Sequence, residues 1–299
     1  MSSLFIKICL FFLEIISYLP LPVTHFLGVI LGLTNFAIHR KSRNHARSNL
    51  TQSALVTTDN INKTLLKNAI ENGKSIFETF NIWFKPHQKV LAYVKTVHGW
   101  DVVESAIQQG NGIIFLAPHL GCFEIASLYY GASFPVTVLY RPPKQTWLHP
   151  LILQGRERGK IKLAPANMEG VRGLLVALKH GEAIAILPDQ TPAAGEGVWA
   201  DFFKKPAYTM TLASKLAAKT SAAVFMVYGE RLSWGRGYVI HITQLENGAI
   251  NTVQGLNHAV EKQIAQNPVQ YLWAYPRYKV RQFNREKLIE FLATKNANK

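Results

Sequence analysis

Residues 112–117 form a run of apolar side chains ended by Pro118, and residues 120–130 resume an apolar pattern at helical spacing. Six residues are too few for a stable buried helix, so the run reads as a strand buried on both faces that feeds a helix directly. The same alternation recurs along the chain. Residues 91–97, 136–140, 183–187, 222–229 and 237–243 read as further strands, and residues 59–84, 101–109, 169–179, 209–219, 252–266 and 286–299 as helices. Asp59 is placed to cap the first of these helices. Residues 191–208, rich in Gly, Ala and Pro and carrying Trp199, Phe202 and Phe203, read as a long loop suited to a lid or the wall of a channel. Strands and helices in this order predict an α/β fold, a mixed but mostly parallel sheet flanked by helices.

His119 and Glu124 fall where the strand gives way to the helix, the usual place for a site in an open α/β sheet. On a regular helix, positions five apart point about 140° away from each other, from roughly 100° per residue. The two side chains meet only if His119 sits in the bend and Glu124 reaches back from the first turn. A carboxylate that fixes the tautomer of an imidazole makes it a general base near neutral pH. Cys122, three residues beyond His119, offers a nucleophile as an alternative. Asp189 follows a strand and emerges on the same edge as His119 if the two strands are parallel. There it can orient an arginine, bind a sugar hydroxyl or cap a turn. Arg156 and Arg158 lie in the bend that ends a helix at Gly159, so only one of them need face the site. Arginine suits a phosphate or an oxyanion, because its planar fork makes two parallel charge-assisted hydrogen bonds.

Residues 4–18 and 23–38 are apolar, broken by Pro20 and Pro22, and Arg40, Lys41, Arg43 and Arg47 follow. Fifteen helical residues span about 22 Å against a hydrocarbon core of roughly 30 Å, so neither run crosses a bilayer comfortably alone. The basic flank favours a cytosolic, anionic membrane face, and residues 1–48 therefore read as a membrane anchor ahead of a catalytic domain at 49–299. Thirty-three Lys and Arg against 18 Asp and Glu give a formal charge of +15, which fits anionic lipid or an acidic protein partner. Nucleic acid ranks last, since neither zinc-knuckle spacing nor an RNP-like aromatic motif occurs. The two cysteines, Cys9 and Cys122, form no disulfide framework and suit a reducing compartment.

The segment HLGCFE after an apolar strand resembles the H-x4-D/E block of glycerolipid and lipid A acyltransferases. Tyr140-Arg141-Pro142, Gly155-Arg156-Glu157-Arg158, the helix–strand segment ending in Asp189, and PVQYLWAYPRYKVR at 268–281 resemble further blocks in the same order. Together they are similar to the late lipid A acyltransferases of Gram-negative bacteria. Lys204 stands where that family often has glycine, Tyr275 where histidine is common and Pro276 where arginine is common. The resemblance implies a glycerol-3-phosphate-acyltransferase-like fold and a bacterial inner-membrane enzyme whose catalytic domain faces the cytoplasm. It implies transfer of a fatty acyl chain from acyl-carrier protein to a hydroxyl of an anionic lipid A precursor, without metal or organic cofactor. His119 would then be the general base oriented by Glu124, with Arg141, Arg156, Arg158 and Asp189 binding substrate. A lysophospholipid or other glycolipid acceptor, and a catalytically silent membrane-surface scaffold, stand as the alternative readings.

Overall fold

The computed structural model of the chain describes residues 14–297. The apolar run at 4–18 therefore lies mostly outside the described residues. The strands are β1 (Val94–His98), β2 (Ile113–Leu116), β3 (Val136–Tyr140), β4 (Ile161–Pro165), β5 (Ala183–Ile186), β6 (Gly197–Phe202), β7 (Lys205–Met210), β8 (Ala223–Arg231) and β9 (Tyr238–Gln244). Among the described helices, α1 (Leu21–Ile38), α2 (Arg40–Ser53) and α3 (Ile61–Phe84) precede the sheet, with short α4 (His87–Leu91) leading into β1. Helices α5 (Trp100–Gln109), α6 (Phe123–Gly131), α7 (His149–Arg156), α8 (Met168–Lys179), α9 (Leu212–Lys219) and α10 (Val253–Gln266) connect or follow the strands, and α11 (Arg285–Ala297) ends the described chain.

Seven strands form one sheet in the order β1-β9-β8-β2-β5-β3-β4. Every pairing is parallel except β8 with β9. The sheet is thus mixed and mostly parallel, as the alternation of elements predicts. Strand β2 sits near its middle, and all four of its residues are buried. Side chains alternate along a strand, so Ile114 and Leu116 join the apolar cluster on one face with Leu174, Leu216 and Val260, while Ile113 and Phe115 join the other with Val103, Ile125 and Leu128. Burial on both faces is the reason the run is apolar throughout rather than alternating.

Three local expectations differ from the structure. A 3-10 turn at Thr58–Asn60 precedes α3 and makes Asn60 the residue before the helix, so Asp59 does not cap it. Strand β4 adds an edge that the sequence pattern does not announce. Residues 191–208 are not one loop: β6 and β7 pair as an antiparallel hairpin. Its two turn residues, Phe203 and Lys204, both have positive φ, 48° and 62°. Such a turn matches the twist of a hairpin but normally calls for Asn-Gly, which is why the pattern hides it. Helix α2 runs unbroken across residue 48, and the Asn49 side-chain amide donates to the carbonyls of Trp273 and Tyr275, both at 2.8 Å.

Candidate active site

Strands β2 and β5 are parallel neighbours, with Leu116 opposite Ile186. His119 lies three residues past Leu116 and Asp189 three past Ile186, so the register carries both to the same level beyond the carboxyl edge of the sheet. Asp189 is 3 % exposed. Its Oδ1 lies 2.8 Å from His119 Nδ1, and its Oδ2 accepts the His119 backbone N–H at 3.0 Å. Burial by itself would raise the Asp189 pKa, but the charge of His119 and these hydrogen bonds outweigh it and hold the carboxyl below its usual value. An ionised acceptor on Nδ1 keeps that nitrogen protonated and leaves the Nε2 lone pair free to take a proton. In the structure the Gln190 side-chain amide, 3.1 Å away, donates to that lone pair.

The bend that presents His119 is tightly fixed. Gly121 has φ +62°, and a Cβ there would lie 2.1 Å from the Gly229 carbonyl oxygen. Cys122 N–H donates to that oxygen at 2.7 Å, Gly121 N–H to Gln270 O at 3.0 Å, and Leu272 N–H to His119 O at 3.1 Å. The 268–281 block is therefore a brace for the bend. The Tyr275 hydroxyl accepts the Thr191 N–H at 3.0 Å and steadies the loop that bears Asp189 and Gln190.

Glu124 does lie in the first turn of α6, 5 % exposed, but its carboxylate is held by Arg156 rather than by the His119 ring. Arg156 Nε donates to both Glu124 oxygens at 3.0 Å, and Nη2 also bonds to Oε1. The guanidinium lies over the Trp83 ring, 5.5 Å from its centroid. The expectation that Glu124 holds the imidazole is thus corrected: it came from proximity in sequence, whereas the parallel register delivers Asp189 from 70 residues away. Of the paired arginines only Arg156 faces the site. Arg158 turns back, and its Nη1 donates to the carbonyls of Trp83 at 3.1 Å and Lys85 at 2.6 Å. Arg141 lines the site cavity at its exposed edge, 4.0 Å from Glu196. Cys122 is buried, and burial is the largest of the effects that push its thiol pKa well above the usual range, which disfavours a thiolate nucleophile. Sequence places Gln190 beside Asp189 at the same strand end but gives it no role; its contact with His119 Nε2 is evident only from the structure.

Two cavities meet at His119 and Phe123. The larger, about 800 Å³, is edged by Arg141, Arg156 and Lys215 and walled by Leu139, Leu163 and Met210. The smaller, about 380 Å³, lies between α1, α2 and α3 and includes Phe36, Leu65 and Ile76 in its lining. Both are of a size that holds a small-molecule ligand or part of a larger one. A base whose Nε2 carries only the exchangeable Gln190 contact, placed where a cleft lined by Arg141, Arg156 and Lys215 together with Glu124 and Glu196 meets a more apolar one, can deprotonate a hydroxyl beside an activated acyl group.

Comparison with known proteins gives the same direction. A family model described as bacterial lipid A biosynthesis acyltransferase matches residues 2–280. The lipid A biosynthesis palmitoleoyltransferase of Escherichia coli K12 is 28% identical over 269 residues, 88% of this chain and 87% of that protein. The lipid A biosynthesis lauroyltransferase of the same organism is 25% identical over 276 residues, covering 90% and 89% of the two chains. A lipid A biosynthesis acyltransferase of Haemophilus influenzae is 26% identical over 274 residues, 88% of this chain and 86% of the relative.

Proposed function

Since the chain belongs to the bacterial lipid A biosynthesis acyltransferase family, and is thereby an acyltransferase, we propose that it moves a fatty acyl chain from acyl-carrier protein to a hydroxyl of a lipid A precursor at the cytoplasmic face of the inner membrane, with His119 as the general base and Asp189 as the group that orients it. The observation that carries the reading is the His119–Asp189 pair, 2.8 Å apart, at the junction of the two cavities. In the reaction the acceptor hydroxyl displaces Gln190 from His119 Nε2. The imidazole takes the hydroxyl proton as the oxygen attacks the thioester carbonyl, and Asp189 stabilises the imidazolium. The tetrahedral oxyanion is met by the N–H groups of Phe123 and Glu124, the first two of α6; the Ile125 N–H is already given to the Cys122 carbonyl. Its collapse breaks the carbon–sulfur bond, and the thiolate leaves with the proton from the imidazolium. Glu124 fixes Arg156 so that the free edge of the guanidinium addresses the anionic head group of the acceptor, with Arg141 and Lys215 beyond it. Arg158 is left out of this scheme, because its bonds to backbone carbonyls give it a structural place. A glycerol-3-phosphate-acyltransferase-like arrangement of the sheet belongs to the same proposal and rests on the resemblance of the H-x4-E block.

The test is incubation of the purified full chain with lauroyl- or myristoyl-acyl-carrier protein and either a lipid A precursor or a lysophospholipid. The expected product is a lipid A precursor one acyl ester heavier. Acylation of the lysophospholipid alone would replace the acceptor named here, and absence of transfer to both would end the reading.

A further inference from the structure

Helix α1 has the length and hydropathy of a membrane span, yet it is fastened to the body along its whole length. At its start Leu21 is 2 % exposed and joins the apolar cluster around Trp83 and Val90. Pro22 is pressed against Gly235, where a Cβ would lie 2.4 Å from the Pro22 nitrogen. One turn on, the His25 ring is 3.1 Å from Glu78 of α3, and Glu78 is gripped by Arg231 at the end of β8. Gly28 and Gly32 then let the backbones of α1 and α3 touch: a Cβ on Gly73 would fall 2.1 Å from the Gly28 oxygen. At the far end Phe36 packs on the main core. Helix α3 runs antiparallel against α1, with Lys74 level with Gly28 and Ala69 with Gly32, and carries Lys67, Glu71 and Lys74 along that stretch. Standing α1 upright across a bilayer would take those groups with it into hydrocarbon, which charged side chains resist.

The outer side of α1 is of another kind. Val23, Phe26, Ile30 and Leu33 are 41 %, 63 %, 49 % and 39 % exposed, and their spacing of three, four and three places them in one stripe. Beside the start of the stripe, in the turn that presses on Pro22, stands Trp234. It is 86 % exposed, more than any other exposed large hydrophobic residue described, and the turn holds it at φ +60°, a conformation that bulky residues rarely adopt unforced. Exposed Arg236 adjoins it, and exposed Arg40 and Lys41 follow the other end of the helix. An apolar row edged by a tryptophan and by cations at both ends is the pattern of a helix lying in a membrane interface.

We propose that α1 lies in the plane of an anionic membrane leaflet, with the Val23, Phe26, Ile30 and Leu33 stripe and Trp234 inserted side by side. The smaller cavity, walled by Gly32, Asn35 and Phe36 of α1 and ending at His119, then opens next to that leaflet and gives a lipid chain a path to the base without passing through water. The inference deepens the membrane-bound reading above and rests on it.

Spin-label depth measurement tests it. Val23→Cys, Phe26→Cys, Ile30→Cys, Leu33→Cys and Trp234→Cys are made singly in full-length protein carrying Cys9→Ser. Cys122 stays, since it is buried. Each labelled protein, checked for unaltered thermal unfolding, is reconstituted into phosphatidylcholine–phosphatidylglycerol vesicles, and nitroxide collision with oxygen is compared with collision with a water-soluble nickel chelate. All five labels are expected at one shallow depth. A steady change of depth from position 23 to 33 means that α1 spans, a label at 234 exposed to the chelate removes the tryptophan from the surface, and spin–spin broadening between copies makes the stripe a dimer contact. Any of these overturns the proposal. The readout is depth and not turnover, so a correctly seated but inactive protein counts against the acyl-transfer chemistry alone.

Discussion

Asp189→Asn is the sharpest perturbation of the dyad. The carboxylate meets two demands at once, accepting the His119 backbone N–H at 3.0 Å on Oδ2 and the ring Nδ1–H at 2.8 Å on Oδ1. Asparagine has one acceptor oxygen and one NH2, so it can meet only one of them. If its oxygen stays with the backbone, the NH2 faces Nδ1, the ring proton moves to Nε2, and the base is occupied. If it flips, the backbone N–H loses its partner and the bend shifts. General-base catalysis contributes about 10²–10⁴-fold, equivalent to roughly 3–5 kcal/mol at 1.36 kcal/mol per decade, and the substitution forfeits most of it. The loss belongs in kcat, with KM for the acyl-carrier-protein thioester changed by no more than about threefold, because Asp189 touches no substrate in the proposed scheme. Steady-state kinetics of purified wild type and variant, with circular dichroism to confirm folding, measures this. An Asp189→Asn enzyme that is folded and turns over within about threefold of wild type refutes the dyad.

Glu124→Ala and Arg156→Ala should each weaken acceptor binding, and the double variant should lose less than the sum, by at least about 1 kcal/mol in a kinetic double-mutant cycle; additive losses would separate the pair. Cys122→Ala should leave kcat within about threefold of wild type, since a buried thiol of raised pKa is a poor nucleophile, and failure to trap an acyl-cysteine by mass spectrometry should accompany it. Glu78 is buried, which by itself would raise its pKa, but Arg231 and His25 outweigh that and lower it from 4.5 to about 2. Its contribution is therefore complete above about pH 4.5 and lost as pH falls towards 2, and the difference corresponds to about 3 kcal/mol. Urea unfolding between pH 5 and pH 3 should show the decline beginning, with a shallower slope in Glu78→Gln. Gly121→Ala should cost about 2 kcal/mol or more through its left-handed backbone and its collision with Gly229, seen as a lower urea midpoint, and should lower activity further by moving the bend.

The frame of the molecule was readable because a strand buried on both faces leaves an unbroken apolar run, as in β2 and β5, and because helices α8 and α10 show their apolar stripe and stop or cap signals. The placing of His119 and Asp189 on one edge follows from the same pattern. Their pairing does not, since it depends on β2 and β5 being neighbours in register, a property of strand order that neither segment encodes. Glu124 misleads for the same reason: it is close in sequence, while its partner Arg156 arrives from α7. The hairpin of β6 and β7 was hidden by a turn built from Phe203 and Lys204 in conformations suited to Asn and Gly. The 268–281 block was recognisable by resemblance alone, and its work of bracing the bend through Gln270, Leu272 and Tyr275 becomes evident only from contacts.

The central claim is that His119 takes a proton from an acceptor hydroxyl so that an acyl chain can move onto lipid A. Mass spectrometry of lipid A from cells that lack the gene, complemented with either wild type or His119→Ala at equal membrane abundance, tests it most directly. Wild type should restore a species heavier by one acyl ester, and His119→Ala should restore none. The same heavier species in both would contradict the account.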